Sequence, residues 1–426
     1  MKTSLVCVLL VCFITCKQQN PAQFTSGLDY DKYLSSYERA SSNNALKELA
    51  FWQSRLTKDS IDLIALDKIA GVYSTLFSLN GDVSNLYLSE KLIKKSLHLS
   101  ARNKDSYLRL LAHNYISQHR FKEAKTLLDS AYSFPDNKQA TRFMMFDVLM
   151  ELGHYQKADV LLGKLKNNAE YNYLIRLSKW SDHKGNLDAA IRYMERVKDL
   201  AAARGETSLK VWVYTNLADY YGHSDRLEDA YRHYLMALAL SPENAYAKKG
   251  IAWVVYAHER NTVESNRILT AAYKNYKTPD YFLLKAELAK FDKNLAEVHL
   301  QEQHFIEALQ ITDYGVMYNT QLAEVLIITE PVVALRLAKS EVESRATPTT
   351  YSDLAYVQLM TGDKEGALET IENHVVGKSF EPKLGYVCAL VYKANGMLDK
   401  IPTLKLELQK SAFELGPVVM RNIEKM

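Results

Sequence analysis

Apolar residues recur every three and four positions along almost the whole chain from about Asn43 to Leu415, and no stretch alternates convincingly as a strand would. The pattern predicts helices joined by short polar or glycine turns. Six alanines set its longer rhythm: Ala124, Ala158, Ala190, Ala230, Ala334 and Ala367. Each follows a turn and opens an apolar helical stretch. Most neighbouring alanines lie 32 to 40 residues apart, and two weaker units centred near Ser265 and Ala296 fill the longer gap. A period of this length marks a helix-turn-helix solenoid, in which each unit buries its apolar face only against its neighbours.

The unit at residues 211–244 is the most regular. Tyr214 is followed by Leu217, Ala218 and Tyr221. Ala230, Tyr234 and Ala237 mark a second helix, and Pro242 closes the unit. Small residues at Ala218 and Ala230 suit the closest approach of two antiparallel helices. Tyr214, Leu217, Tyr221 and Tyr234 suit the space between units. The same order recurs with Leu111, Ala112, Tyr115 and Ala124, and again with Tyr351, Leu354, Ala355 and Ala367. Gly153, Gly185, Gly362 and Gly396 fall between paired helices, where a left-handed turn residue is wanted. Pro331 and Pro402 fall where second helices begin, a position proline tolerates.

These residues resemble the tetratricopeptide repeat. The resemblance implies an all-α, right-handed superhelical solenoid of antiparallel helix pairs with about ten repeats. Residues 105–415 carry it most clearly, and residues 43–104 read as degenerate N-terminal helical repeats. The expected remainder is a signal peptide at 1–15, a lipidated cysteine and flexible tether at 16–42, and a C-terminal tail at 416–426.

The first residues bear on location. Leu5 to Ile14 is a continuous apolar run, too short for a membrane span and of the length of a signal-peptide core. Cys16 directly follows Phe13-Ile14-Thr15, which resembles a bacterial lipoprotein signal and implies lipidation at Cys16. Lys17 rather than an aspartate follows it, which implies the outer membrane. Cys7 and Cys12 would leave with the signal, and Cys388 would remain as a small buried thiol with nothing to pair with.

Composition removes several classes of function. With 53 basic and 50 acidic residues the chain has no charge excess suited to nucleic acid. The histidines are scattered. His299 and His304 fall on different helix faces, no metal-binding pair is visible, and no cofactor is expected. No nucleophile elbow or phosphate-cradling loop occurs, so no catalytic residues are assigned and the chain reads as a non-enzyme.

In tetratricopeptide proteins the first helix of each unit lines a concave groove. That phase, carried onto this sequence, selects Arg109, His113, Arg176, Lys179, Asp219, His223, Trp253, Tyr256 and Tyr356 as candidate groove residues for a protein or peptide partner. Asn216 and Lys249 lie near the family's carboxylate-clamp positions without completing the set. The expected function is an interaction scaffold anchored to the cell envelope. The competing reading is a nutrient-capture lipoprotein, binding glycans or peptides beside an outer-membrane transporter.

Overall fold

The computed structural model describes residues 23–35, 40–56 and 62–426. The signal-peptide and Cys16 readings lie outside the described residues. Two helices lead, α1 (Gly27–Leu34) and α2 (Ala40–Arg55). Ten helix pairs follow. They are α3 (Leu63–Asn80) with α4 (Ser84–Leu99), α5 (Lys104–Ser117) with α6 (Phe121–Tyr132), and α7 (Lys138–Glu151) with α8 (Tyr155–Lys164). Next come α9 (Tyr171–His183) with α10 (Leu187–Arg204), α11 (Thr207–His223) with α12 (Leu227–Leu240), and α13 (Ala245–Ala257) with α14 (Thr262–Tyr273). The later pairs are α15 (Asp280–Phe291) with α16 (Leu295–Ile311), α17 (Asn319–Leu326) with α18 (Pro331–Ser344), α19 (Pro348–Met360) with α20 (Lys364–His374), and α21 (Pro382–Ala394) with α22 (Ile401–Leu408). A last helix, α23 (Ala412–Glu424), bends at Gly416. The architecture is a helical solenoid of tetratricopeptide type, with no strand among the described residues.

One local rule builds most pairs. The first helix ends, a single residue takes the left-handed conformation, an N-cap follows, and the second helix starts. Gly153, Gly185, Gly362 and Gly396 take the left-handed position in four pairs. His119, Asp225, Arg260 and Lys293 take it in four others at φ near +60°. Four residues beyond the N-cap sits the small residue that lets the helices meet. Ala124, Ala158, Ala190, Ala230, Ala334 and Ala367 are all buried there, each donating its N–H to the N-cap carbonyl.

Serine can substitute at this contact because the partner helix offers a carbonyl. Ser178 Oγ donates to Ala190 O at 2.7 Å, Ser265 Oγ to Ala252 O at 2.8 Å, and Ser89 Oγ to Ala70 O at 2.9 Å. Burying a hydroxyl is tolerable when its hydrogen bond is made. The unit near Ala296 is corrected in phase: Ala296 is exposed and Val298 holds the buried position. Ala218, Leu217, Tyr221 and Tyr234 are buried as the repeat pattern requires, and Cys388 is a buried free thiol.

Both terminal readings need correction. Residues 23–35 are not tether: they dock on the solenoid. The buried Glu259 carboxylate, in the α13–α14 turn, accepts from Phe24 N (3.1 Å), Thr25 N (2.9 Å) and Thr25 Oγ1 (2.9 Å). The Tyr30 hydroxyl donates to Glu264 at 2.6 Å. Too few apolar anchors lie here for periodicity to show, and the partners are more than 230 residues away. Residues 416–426 are not a tail either: Gly416, Pro417 and Ile423 are buried in α23.

The solenoid winds back on itself. Tyr87 donates to the Asp313 carbonyl 226 residues on, and Lys122 to the Glu343 carbonyl 221 residues on. Gly185 (φ 73°) lies under the Phe380 ring, where a Cβ would come within 2.7 Å of it. Only glycine satisfies both the turn and this approach.

Candidate partner-binding site

Side chains of the successive first helices bridge one helix to the next. On α5, Arg109 pairs with Asp105 at 2.8 Å and donates to Thr141 Oγ1 of α7 at 3.2 Å. From α9, Arg176 reaches back to Asp147 of α7 at 2.5 Å and to the Phe143 carbonyl at 2.9 Å, while Lys179 pairs with Glu151 at 2.9 Å. Asp219 on α11 accepts from the hydroxyls of Tyr234 and Tyr246, both at 2.6 Å. Tyr256 on α13 donates to Glu287 of α15 at 2.7 Å.

Thus five of the groove candidates are rungs of an internal ladder. Tyr256 is buried and is not a surface residue, which corrects its assignment to an open groove. Trp253 is also corrected. Its indole N–H donates to the Phe413 carbonyl, and α23 lies along α11, α13 and α15 at this point. Tyr356 is half-buried between the last two apolar clusters. His113 and His223 keep exposed rings. The near-clamp residues have internal partners too: Asn216 donates to the Trp212 carbonyl at 2.8 Å and Lys249 pairs with Asp280. Helical phase placed these residues on the first helices. It could not show that neighbouring units and α23 had already engaged these groups.

Where the C-terminal units return against α7, α9 and α11, they leave a cavity of about 570 Å³. Of the candidates, Lys179 and His223 line it. The other walls come from residues the sequence reading missed: Glu151, Tyr155, Asp182, Arg345, Phe380, Glu381 and Glu414. Asp182 falls three residues after Lys179 on the same face, a signal that was legible. Arg345, Glu381 and Glu414 belong to segments some 200 residues distant in sequence and gave none.

The electrostatics of the cavity are uneven. Burial tends to raise the Glu151 carboxyl, but Lys179 and Arg345 outweigh it and hold it below its ordinary value. The carboxyls of Asp182, Glu381 and Glu414 are pushed up by burial first, partly relieved at Asp182 and Glu414 by the imidazole of His223 and at Glu381 by the Thr349 hydrogen bond and Lys383. Among the described residues, no group of three metal-ligating side chains comes together.

No family model matches the chain, and no curated protein matches it. Solved structures with similarity include a tetratricopeptide repeat protein from Parabacteroides merdae ATCC 43184, at 18% identity over 61% of this chain and 98% of that one, TM-score 0.35. A second is the APC/C hetero-tetramer Cut9-Hcn1, at 12% identity over 94% of this chain and 98% of that one, TM-score 0.33. A third is Rap protein complexed with competence and sporulation factor, at 12% identity over 66% of this chain and 89% of that one, TM-score 0.43. The tetratricopeptide-type assignment of the fold rests on the helix pairs and small-residue contacts described above.

Proposed function

We propose that this protein is a non-enzymatic interaction scaffold, held at the bacterial cell envelope by a lipid on Cys16, that binds a segment of a partner protein. The observation that carries this reading is the use made of the chain. From Leu63 to Glu424 it is spent on stacked helix pairs and their closing helix, which create surface and clefts rather than an inserted catalytic domain. Among the described residues no helix is long and apolar enough to cross a membrane, so attachment in this reading depends on the lipid. The Lys17 signal favours the outer membrane.

The docked N-terminal segment limits the reach of that anchor. Gln23 is seven residues from Cys16, a span of at most about 25 Å when extended. A lipid on Cys16 therefore keeps the α12–α14 side of the solenoid close to the bilayer.

Two experiments test the reading. Metabolic labelling with a fatty-acid analogue should mark the wild type and not Cys16→Ser; equal labelling would refute lipidation at this residue. Cross-linking followed by capture from detergent-solubilised membranes should yield one or two stoichiometric envelope proteins. The cavity between α7, α9, α11 and the C-terminal units favours ligand capture as a second reading. A purified protein that retains a glycan or peptide and captures no partner would decide for it.

A further inference from the structure

The cavity between α7, α9, α11 and the returning C-terminal units is lined by more carboxyl groups than permanent cations. Four carboxylates and two permanent cations face it. Glu151 takes both cations, Lys179 at 2.9 Å and Arg345 at 3.6 Å. The Asp182 carboxylate has no hydrogen-bond or ion-pair partner among the described residues, although its backbone carbonyl accepts from Gly185 N. Glu381 receives a hydrogen bond of 3.4 Å from Thr349, and Glu414 has only the imidazole of His223 at 3.9 Å. These three carboxylates come from α9, from the loop before α21 and from α23, so the fold itself brings them to one cavity.

The rest of the lining is mixed: Tyr155 and Phe380 supply aromatic surface, Met150, Leu187 and Pro382 aliphatic surface, and serine and threonine side chains hydroxyls. Tyr155 lies against His183 with ring centroids 4.2 Å apart. Phe380 stands at the rim over Gly185 and is 70% exposed, unusual for so large an apolar ring. The volume lies within the range of about 300–1,000 Å³ typical of ligand clefts. An occupant complementary to this lining has an apolar stem and a positive end. Separated carboxylates on three elements suit the three divergent donors of an ammonium better than the planar fork of a guanidinium.

We propose that this cavity binds a protonated primary amine, delivered as a lysine side chain of an extended partner segment. The alkyl stem lies against Tyr155 and Phe380, and the ammonium sits among Asp182, Glu381 and Glu414. This assignment rests on the scaffold reading and gives the partner segment its chemistry.

Titration calorimetry on the full chain in detergent tests it, with acetyl-Gly-Lys-Gly-amide as the probe. Acetyl-Gly-norleucine-Gly-amide is the control lacking only the ammonium group, and 1,5-diaminopentane is the free-amine alternative. The lysine peptide should bind, the norleucine peptide should not, and the diamine should bind more weakly. The variant Asp182→Asn/Glu414→Gln should lose about tenfold or more in affinity for the lysine peptide. Both substitutions neutralise carboxyls that burial already disfavours as ions, so the fold should persist, and a melting curve checks that. Phe380→Ala should weaken the same binding without altering any charge.

Equal binding of the lysine and norleucine peptides, or unchanged affinity in the double variant, overturns the proposal. Tighter binding of the diamine overturns the peptide source. An envelope partner captured equally by the wild type and the double variant overturns the cavity assignment alone and leaves the scaffold standing. Lysine-peptide binding with no partner captured does the reverse.

Discussion

Trp253 donates its indole N–H to the carbonyl of Phe413 at 3.0 Å, across 160 residues of sequence. The contact clasps α23 onto α13. Gly416 leaves room for the indole, since a Cβ there would lie 2.9 Å from the ring. Arg421 adds a bond to the Phe291 carbonyl at 3.1 Å. Trp253→Ala should cost about 3 kcal/mol through lost packing. Amide exchange should speed up most in residues 412–424. If protection there stays at the wild-type level, the clasp does not hold the helix.

The small-residue contact can be probed at two pairs. Ala230→Leu should overpack the α11–α12 contact and lower stability by about 1–3 kcal/mol. Ser178→Ala removes the hydroxyl that satisfies itself on the Ala190 carbonyl and should cost about 1 kcal/mol. Urea unfolding of both variants reads these directly. An unchanged midpoint for Ala230→Leu would mean that Ala230 does not mark the closest approach.

Asp353 gives a pH signature. Burial pushes its carboxyl up to about 6, with Glu324 adding to the rise and Lys383 opposing it. The folded chain therefore binds this proton more tightly than the unfolded chain, whose ordinary value is 3.8. This group destabilises the fold at neutral pH, and the penalty is relieved as pH falls through about 6. The relief is on the order of 3 kcal/mol, complete near the ordinary value. The wild type should melt at a higher temperature at pH 5.5 than at pH 7.5. Asp353→Asn should flatten that difference, and an unaltered difference would assign the effect to other groups.

Glu259 is the tie that orders the N-terminal segment. Its carboxylate receives three hydrogen bonds from Phe24 and Thr25. Glu259→Ala should free residues 23–35 while leaving the repeats folded. Limited proteolysis should then cut near Leu28, whose side chain is already 90% exposed. Continued resistance at that site would show that Tyr30 and Tyr231 hold the segment unaided.

Much of the fold was legible because each helix pair is built from neighbours in sequence. Turn residue, N-cap and small residue lie within about a dozen positions, so the period, the pair boundaries and the buried alanines follow from local pattern. The phase misplaced at Ala296 belongs to a unit where Val298 replaces the small residue and hides the signal. Of the sequence candidates, only Lys179 and His223 line the cavity. Helical phase placed Arg109, Arg176, Lys179 and Asp219 on first helices, but a pattern along one helix carries no record of what the adjacent helix supplies. Asp147, Glu151 and Tyr246 had already engaged those groups.

What the sequence by itself determined is the repeating unit, because it depends on residues three, four and twelve positions apart. Only the tertiary structure decided how the units curve back. Small rotations at each pair add up until Phe380 meets Gly185 and Phe413 meets Trp253. Those accumulated angles placed Arg345, Glu381 and Glu414 opposite Asp182 and made a cavity. No local spacing encodes a sum of many packing angles.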